Sequence, residues 1–202
     1  MTKGKIFIIS GPSGVGKDTL IREIMANTDN LEFSISSTTR NPRGNPEEDC
    51  KYNFITKEEF EKGIAENGFL EYAKYCDNYY GTPAKPIENW TNSGKNVLIE
   101  CEVVGKEKLE KVLPEARSVF ILPPSMASLR RRLNRRGTDS QDVIDARVHE
   151  ASREIEHGRM YDFVVINDDL NEAVADFQNI INGNHNNDQD INTIINEVLK
   201  NV

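Results

Sequence analysis

Three features of the 202-residue sequence predict an α/β fold built on a parallel sheet flanked by helices. Four apolar runs, Ile6-Ile9, Val97-Cys101, Val119-Leu122 and Phe163-Ile166, are separated by helical segments, as strands joined by crossover helices and covered on both faces would be. The first run enters a glycine-rich loop, Gly11-Pro12-Ser13-Gly14-Val15-Gly16-Lys17, which leads into a helix-like stretch from Thr19 to Met25. Between Ser34 and Tyr80 the pattern changes to polar strand and turn signals, which reads as an inserted lobe.

Strand, glycine-rich turn and helix is the order that a phosphate-binding loop requires. Glycines let backbone N–H groups turn inward around phosphate oxygens, the helix N-terminus adds partial positive charge, and Lys17 adds a full one. A nucleoside triphosphate is the first ligand expected. Two neighbouring motifs are excluded: Thr19 stands where a dinucleotide fingerprint needs its third glycine, and Val15 where a serine-hydrolase elbow needs one.

Further along, Tyr52-Ile55 and Phe69-Tyr75 read as strands of the lobe, and Thr56 with Glu59 forms a capping box ahead of Phe60 and Ile64. Helices follow at Gly105 to Leu113, Met126 to Arg136 with Ser125 as cap, Ser140 to His157 and Leu170 to Ile181. The asparagine-rich stretch Asn182 to Asp188 closes the core. Ile191, Ile194, Ile195, Val198 and Leu199 then recur at helical spacing, marking a tail helix over about 190–200 that either docks on its own chain or forms an oligomer contact.

Composition narrows the partners. A net charge of -8 and 37% hydrophobic residues argue for a globular chain that binds neither nucleic acid nor a membrane surface, and favour a small phosphorylated substrate. Cys50, Cys76 and Cys101 are odd in number with no C-x-x-C pair, and there is no signal peptide or long apolar run, so a cytoplasmic location is expected. His149, His157 and His185 lack ligand spacing, and no structural metal is expected.

Charge converges at three further places. Ser36-Ser37-Thr38-Thr39-Arg40-Asn41-Pro42-Arg43, followed by Tyr52, offers forked guanidinium donors to a second phosphate, or forms a solvated basic turn. The same lobe carries Glu71 and the turn Asn78-Tyr79-Tyr80-Gly81-Thr82, groups able to read a base. In Leu129-Arg130-Arg131-Arg132-Leu133-Asn134-Arg135-Arg136, Met126, Leu129 and Leu133 define the buried face, while Arg132 and Arg136 share another. Like charges four apart repel, so they call for anionic partners, either carboxylates or phosphates, and Arg147 on the following helix can approach the same anion. Glu100 and Glu102, two apart on the strand Val97 to Glu102, point to one side at its carboxyl end, where one of them can position magnesium or form a salt bridge.

Over about residues 4–182 the chain resembles the guanylate kinase family. The resemblance rests on Ser10 to Lys17, Ser36 to Arg43, Asn78-Tyr79-Tyr80-Gly81, Arg136-Gly137-Thr138 and Val165-Ile166-Asn167-Asp168. It implies transfer of a phosphoryl group from ATP to GMP or dGMP with magnesium, on one domain spanning 1–202. Within it, a core covers about 1–33, 84–124 and 155–184, a GMP-binding lobe about 34–83, and a helical lid about 125–154. Gly11, Pro12, Ser13, Gly14, Val15, Gly16, Lys17, Asp18, Thr19 and Asn167 are implied on the ATP side. Ser36, Arg40, Arg43, Tyr52, Glu71, Tyr80, Thr82, Glu100 and Glu102 are assigned to the GMP side. Lys17, Arg132, Arg136 and Arg147 are implied to stabilise the transferring group.

The sequence departs from the family pattern at Asp18, which stands where the general motif has Ser or Thr, and so either faces the magnesium shell or turns outward as a helix N-terminal charge. Glu102 is the other magnesium candidate. Two rival functions are a kinase of phosphorylated sugars on the same fold, against which Glu71 and Ser36 would be idle, and a non-catalytic phosphopeptide-binding module, which would not need Lys17 or the arginines.

Overall fold

The computed structural model describes residues 2–135, 140–185 and 190–200. In chain order the elements are β1 (Ile6–Ser10), α1 (Lys17–Asn27), β2 (Leu31–Ser34), β3 (Ser36–Thr38), α2 (Pro46–Asp49), β4 (Tyr52–Phe54), α3 (Lys57–Ala65), β5 (Phe69–Tyr75), β6 (Asn78–Pro83) and α4 (Ala84–Asn92). They continue as β7 (Asn96–Glu100), α5 (Val103–Val112), β8 (Arg117–Leu122), α6 (Met126–Arg135), α7 (Gln141–His157), β9 (Phe163–Ile166), α8 (Leu170–Asn182) and α9 (Ile191–Leu199). One sheet has the strand order β2-β7-β1-β8-β9, with β2 parallel to β7 and β8 parallel to β9, and the other has the order β4-β3-β6-β5. The chain divides into two compact units, Met1–Phe7 with Asn30–Ala116, and Ile8–Asp29 with Arg117–Val202.

The apolar runs explain the core of the second unit. Ile8, Ile9, Phe120, Ile121 and Leu122 are fully buried on the strands, and Leu20, Ile24, Leu129, Ile155 and Phe177 are fully buried on the helices that pack on them. Helix ends are fixed by short polar side chains. Ser125 Oγ accepts from the Ser128 N–H at 3.2 Å, and Asp169 Oδ1 accepts from the Asn171 and Glu172 N–H groups at 2.8 and 3.1 Å. The tail helix docks on its own chain, since Ile195 and Val198 are buried and α9 packs against α7 and the 3-10 turn Gly158–Met160.

In the first unit the four-stranded sheet puts one face on α3. Phe60 stacks on Phe69 and Tyr79 with ring centroids 4.2 and 5.1 Å apart, and a Cβ on Gly81 would come within 2.9 Å of the Phe60 ring. The capping box of Thr56 and Glu59 that starts α3 is formed on both sides.

Two readings of the sequence need correction, and four elements had none. Asn78 to Thr82 is a strand, not a turn: β6 pairs with both β3 and β5, and the chain reverses at Cys76, whose φ is 51°, just before the Tyr75–Asn78 pair. Two hydrogen-bonding neighbours hold this polar segment extended. The strand around Val97 ends at Glu100, and Glu102 is the N-cap residue of α5, so the two carboxylates do not share a strand face as their spacing suggested. β2, β3, α2 and α4 had no sequence assignment, because segments of three or four residues, and a helix with Pro86 near its start, carry too little periodicity. The Arg136-Gly137-Thr138 reading lies outside the described residues. Among the described residues no helix is long and apolar enough to cross a membrane.

Candidate functional site

In the second unit, β1 delivers the chain into the glycine-rich loop and α1 takes it out. Gly14 and Gly16 have φ of 87° and 96°, the left-handed region where L side chains are strained. A Cβ would also lie 2.6 Å from Leu133 Cδ2 at Gly14 and 2.8 Å from Asn167 Nδ2 at Gly16. Val15 is fully buried and anchors the loop, and its N–H donates to Pro12 O at 3.2 Å. α1 begins directly after Gly16, with no side-chain cap there, and a helix N-terminus of this kind suits an anion. Lys17 Nζ donates to Gly11 O at 2.8 Å. Asp18 and Thr19 are exposed on the first turn, where the helix dipole favours a carboxylate by about 0.3–1 kcal/mol.

Behind the loop, Val15 O accepts from Asn167 Nδ2 and Arg132 Nη1, both at 2.9 Å, and Arg132 Nη2 donates to Asn167 O at 2.7 Å. The Arg132 fork therefore ties α6 to the loop and to the end of β9. Asn167 is buried, with its N–H on Leu122 O at 2.8 Å, and braces the loop from beneath. Arg147 Nη2 donates to Ser13 Oγ at 2.8 Å, and Glu154 Oε2 accepts from the Ser13 N–H at 3.4 Å. Arg130 meets a carboxylate, pairing with Asp145 of α7, which holds that carboxyl below its usual range. The arginine run thus splits between a structural pair and the phosphate loop. Arg136 lies outside the described residues.

In the first unit the candidates gather on the sheet face opposite α3. Register pairs Ser36 with Tyr52, Thr38 with Tyr80, and Glu71 with Thr82, so alternation puts Ser36, Tyr52, Glu71, Tyr80 and Thr82 on one face. A register irregularity between Phe69 and Glu71 makes this possible: Phe69 turns toward α3 while Glu71, two residues on, turns to the other side. Thr82 Oγ1 donates to Glu71 Oε1 at 2.8 Å, and burial pushes the Glu71 carboxyl above its ordinary value.

Arg40 lies over the rings of Tyr52 and Phe54, 5.4 and 5.3 Å from their centroids, with its side chain 12% exposed. Its Nη2 is 3.7 Å from Asp49 Oδ1, and its Nη1 donates to Asn41 O at 2.8 Å. Asp49 shapes the whole basic turn, accepting from the Arg43 N–H at 3.0 Å and the Gly44 N–H at 2.8 Å, bonds that hold its carboxyl below the usual range. Sequence reasoning missed Asp49, although an acid six residues after an arginine-proline-arginine turn was a usable signal. Tyr52 packs edge-on to Tyr80 at 5.9 Å, and burial, with Tyr80 and Glu100 nearby, raises its phenol above the ordinary value. Glu100 is half-buried at the end of β7, and Glu102 is exposed at the α5 N-cap.

A phosphate loop on an α/β sheet, with arginines tied to it, defines a P-loop nucleotide-binding protein. The family model described as guanylate kinase matches residues 3–184, and the chain belongs to the guanylate kinase family. It is 48% identical over 180 residues to the guanylate kinase of Neisseria meningitidis, covering 89% of this chain and 88% of the relative. It is 44% identical over 172 residues to that of Synechocystis, covering 85% and 90%. A crystal structure of guanylate kinase from Anaplasma phagocytophilum superposes with a TM-score of 0.70 at 29% identity, covering 94% of this chain and 89% of that one.

Proposed function

We infer that the protein transfers the γ-phosphoryl group of ATP to GMP or dGMP, releasing ADP and GDP or dGDP. The observation that carries this reading is Glu71: a half-buried carboxylate, bonded by Thr82 and facing the same side as Ser36 and Tyr80, in a chain that also holds a phosphate loop. Its two oxygens can accept from guanine N1–H and the exocyclic amino group, whereas adenine offers an acceptor at N1.

Joining two polyanions needs charge neutralisation and alignment rather than a nucleophilic side chain. In this reading Lys17 and the loop amides hold the ATP phosphates, and Arg40, Arg43, Tyr52 and Tyr80 hold the GMP phosphate. Arg132, Arg136 and Arg147 answer the charge on the transferring group, with Glu100 and Glu102 beside GMP. The chain divides functionally into core, GMP-binding lobe and lid. Lid closure would exclude water, the competing acceptor.

Magnesium carried in on ATP fits the residues present. The loop read as holding the ATP phosphates has an exposed carboxylate beside it, Asp18. When bound, the metal neutralises phosphate charge. Asp18 is assigned the outward helix charge, so Asp18→Ala is expected to keep the wild-type magnesium dependence of the rate; a clear rise in the magnesium needed for half-maximal rate would reassign it to the metal shell. A cytoplasmic location suits a chain whose Cys50, Cys76 and Cys101 form no disulfide with one another.

ADP release with ATP and magnesium, measured against GMP, dGMP, AMP, CMP, UMP and ribose 5-phosphate, tests the reading. Turnover with the two guanine nucleotides alone is expected. Preference for another acceptor, or none, would overturn it. Asp49→Ala is expected to raise the KM for GMP about tenfold with little change in kcat, because the lost bonds preorganise Arg40 and Arg43 before chemistry; an unchanged KM would remove Asp49 from the phosphate turn.

A further inference from the structure

Arg147 and Glu154 lie two helical turns apart on α7 and share a face, and both grip one residue of the phosphate loop. Arg147 donates to the Ser13 hydroxyl at 2.8 Å, and Glu154 accepts from the Ser13 amide at 3.4 Å. That amide belongs to a loop whose N–H groups suit phosphate oxygens, and a carboxylate oxygen is an acceptor of the same kind and sign. A separation of 3.4 Å is at the long end for an N–H···O bond, so the contact is weak enough for a more highly charged acceptor to replace.

We propose that Glu154 is a displaceable stand-in for an ATP phosphate oxygen at the Ser13 amide, a positioning residue that keeps the N–H satisfied and aimed until the nucleotide arrives. The inference rests on the reading of the loop as the ATP site. The entering triphosphate breaks the Glu154 contact and meets a carboxylate of its own sign. Glu154 therefore weakens ATP binding while ordering the empty loop. A purely structural side chain would act the other way, since its removal would loosen the loop and weaken the nucleotide.

The test is calorimetric titration of the full chain with a non-hydrolysable ATP analogue, comparing wild type, Glu154→Ala, Glu154→Gln and Lys17→Met. Glu154→Ala is expected to bind the analogue about two- to fivefold more tightly, the scale of one exposed charge interaction, with the gain shrinking as salt is raised and GMP affinity unchanged. Glu154→Gln, which keeps the shape and removes the charge, is expected to shift the same way, and carries the test alone if the alanine variant does not fold. Affinity unchanged or weakened in the glutamine variant overturns the proposal. If Lys17→Met then weakens the analogue, the ATP-loop reading stands and only the role of Glu154 falls; if Lys17→Met has no effect either, both fall.

Discussion

Lys17→Met is expected to lower kcat/KM for ATP by about a hundredfold or more while leaving GMP affinity within about twofold, the loss typical of one charge-stabilising contact removed from a dry site. Methionine keeps the reach of the side chain and deletes the ammonium. The ammonium has its partner on Gly11 O at 2.8 Å, at the start of the loop that leads into α1. The GMP candidates belong to the other compact unit, which is why their affinity should be spared. Steady-state kinetics with ATP and GMP varied independently, together with direct GMP titration, separate these terms. Near-normal turnover would remove Lys17 from the transfer step.

Glu71→Gln is expected to weaken GMP about ten- to a hundredfold and to narrow the gap between GMP and AMP, because an amide can accept from only one of the two guanine donors and its own N–H₂ opposes the other. The same variant carries a stability signature of opposite sign. Burial raises the folded-state pKa of Glu71 above its unfolded value, so the ionised form burdens the fold at neutral pH and the burden disappears as pH falls through the raised value. Ligand-free Glu71→Gln should therefore melt higher than wild type at pH 7, and the two should converge on acidification. In wild type the guanine contribution to binding should fade at a pH above that of an ordinary carboxylate. Unchanged GMP/AMP discrimination in the variant would take Glu71 out of the base-reading face.

What the sequence made legible follows from how local each signal was. The phosphate loop, the strands at Val119–Leu122 and Phe163–Ile166, and the caps at Ser125 and Thr56 are determined by neighbouring residues, and they stand where periodicity and spacing put them. The Glu100–Glu102 pairing failed because the alternation rule holds only while the strand lasts, and this one ends at Glu100. β6 was misread as a turn because its polar residues are held extended between its hairpin partner β5 and β3, a strand distant in sequence. Glu71 could be nominated from the sequence, but the irregularity after Phe69 that turns it away from α3 has no local signature. Arg132 was read as calling for an anionic partner, a carboxylate or a phosphate, and the two carbonyls that its fork spans, those of Val15 and Asn167, have no sequence signal. Asn167 and Asp49 act by holding other residues, a role that only long-range contacts reveal.

Following the label from γ-labelled ATP is the most direct measurement of the central claim. With magnesium and GMP present, the label is expected to appear in GDP in step with ADP formation, with little in inorganic phosphate. Label accumulating in inorganic phosphate while GMP stays unphosphorylated would contradict transfer to GMP.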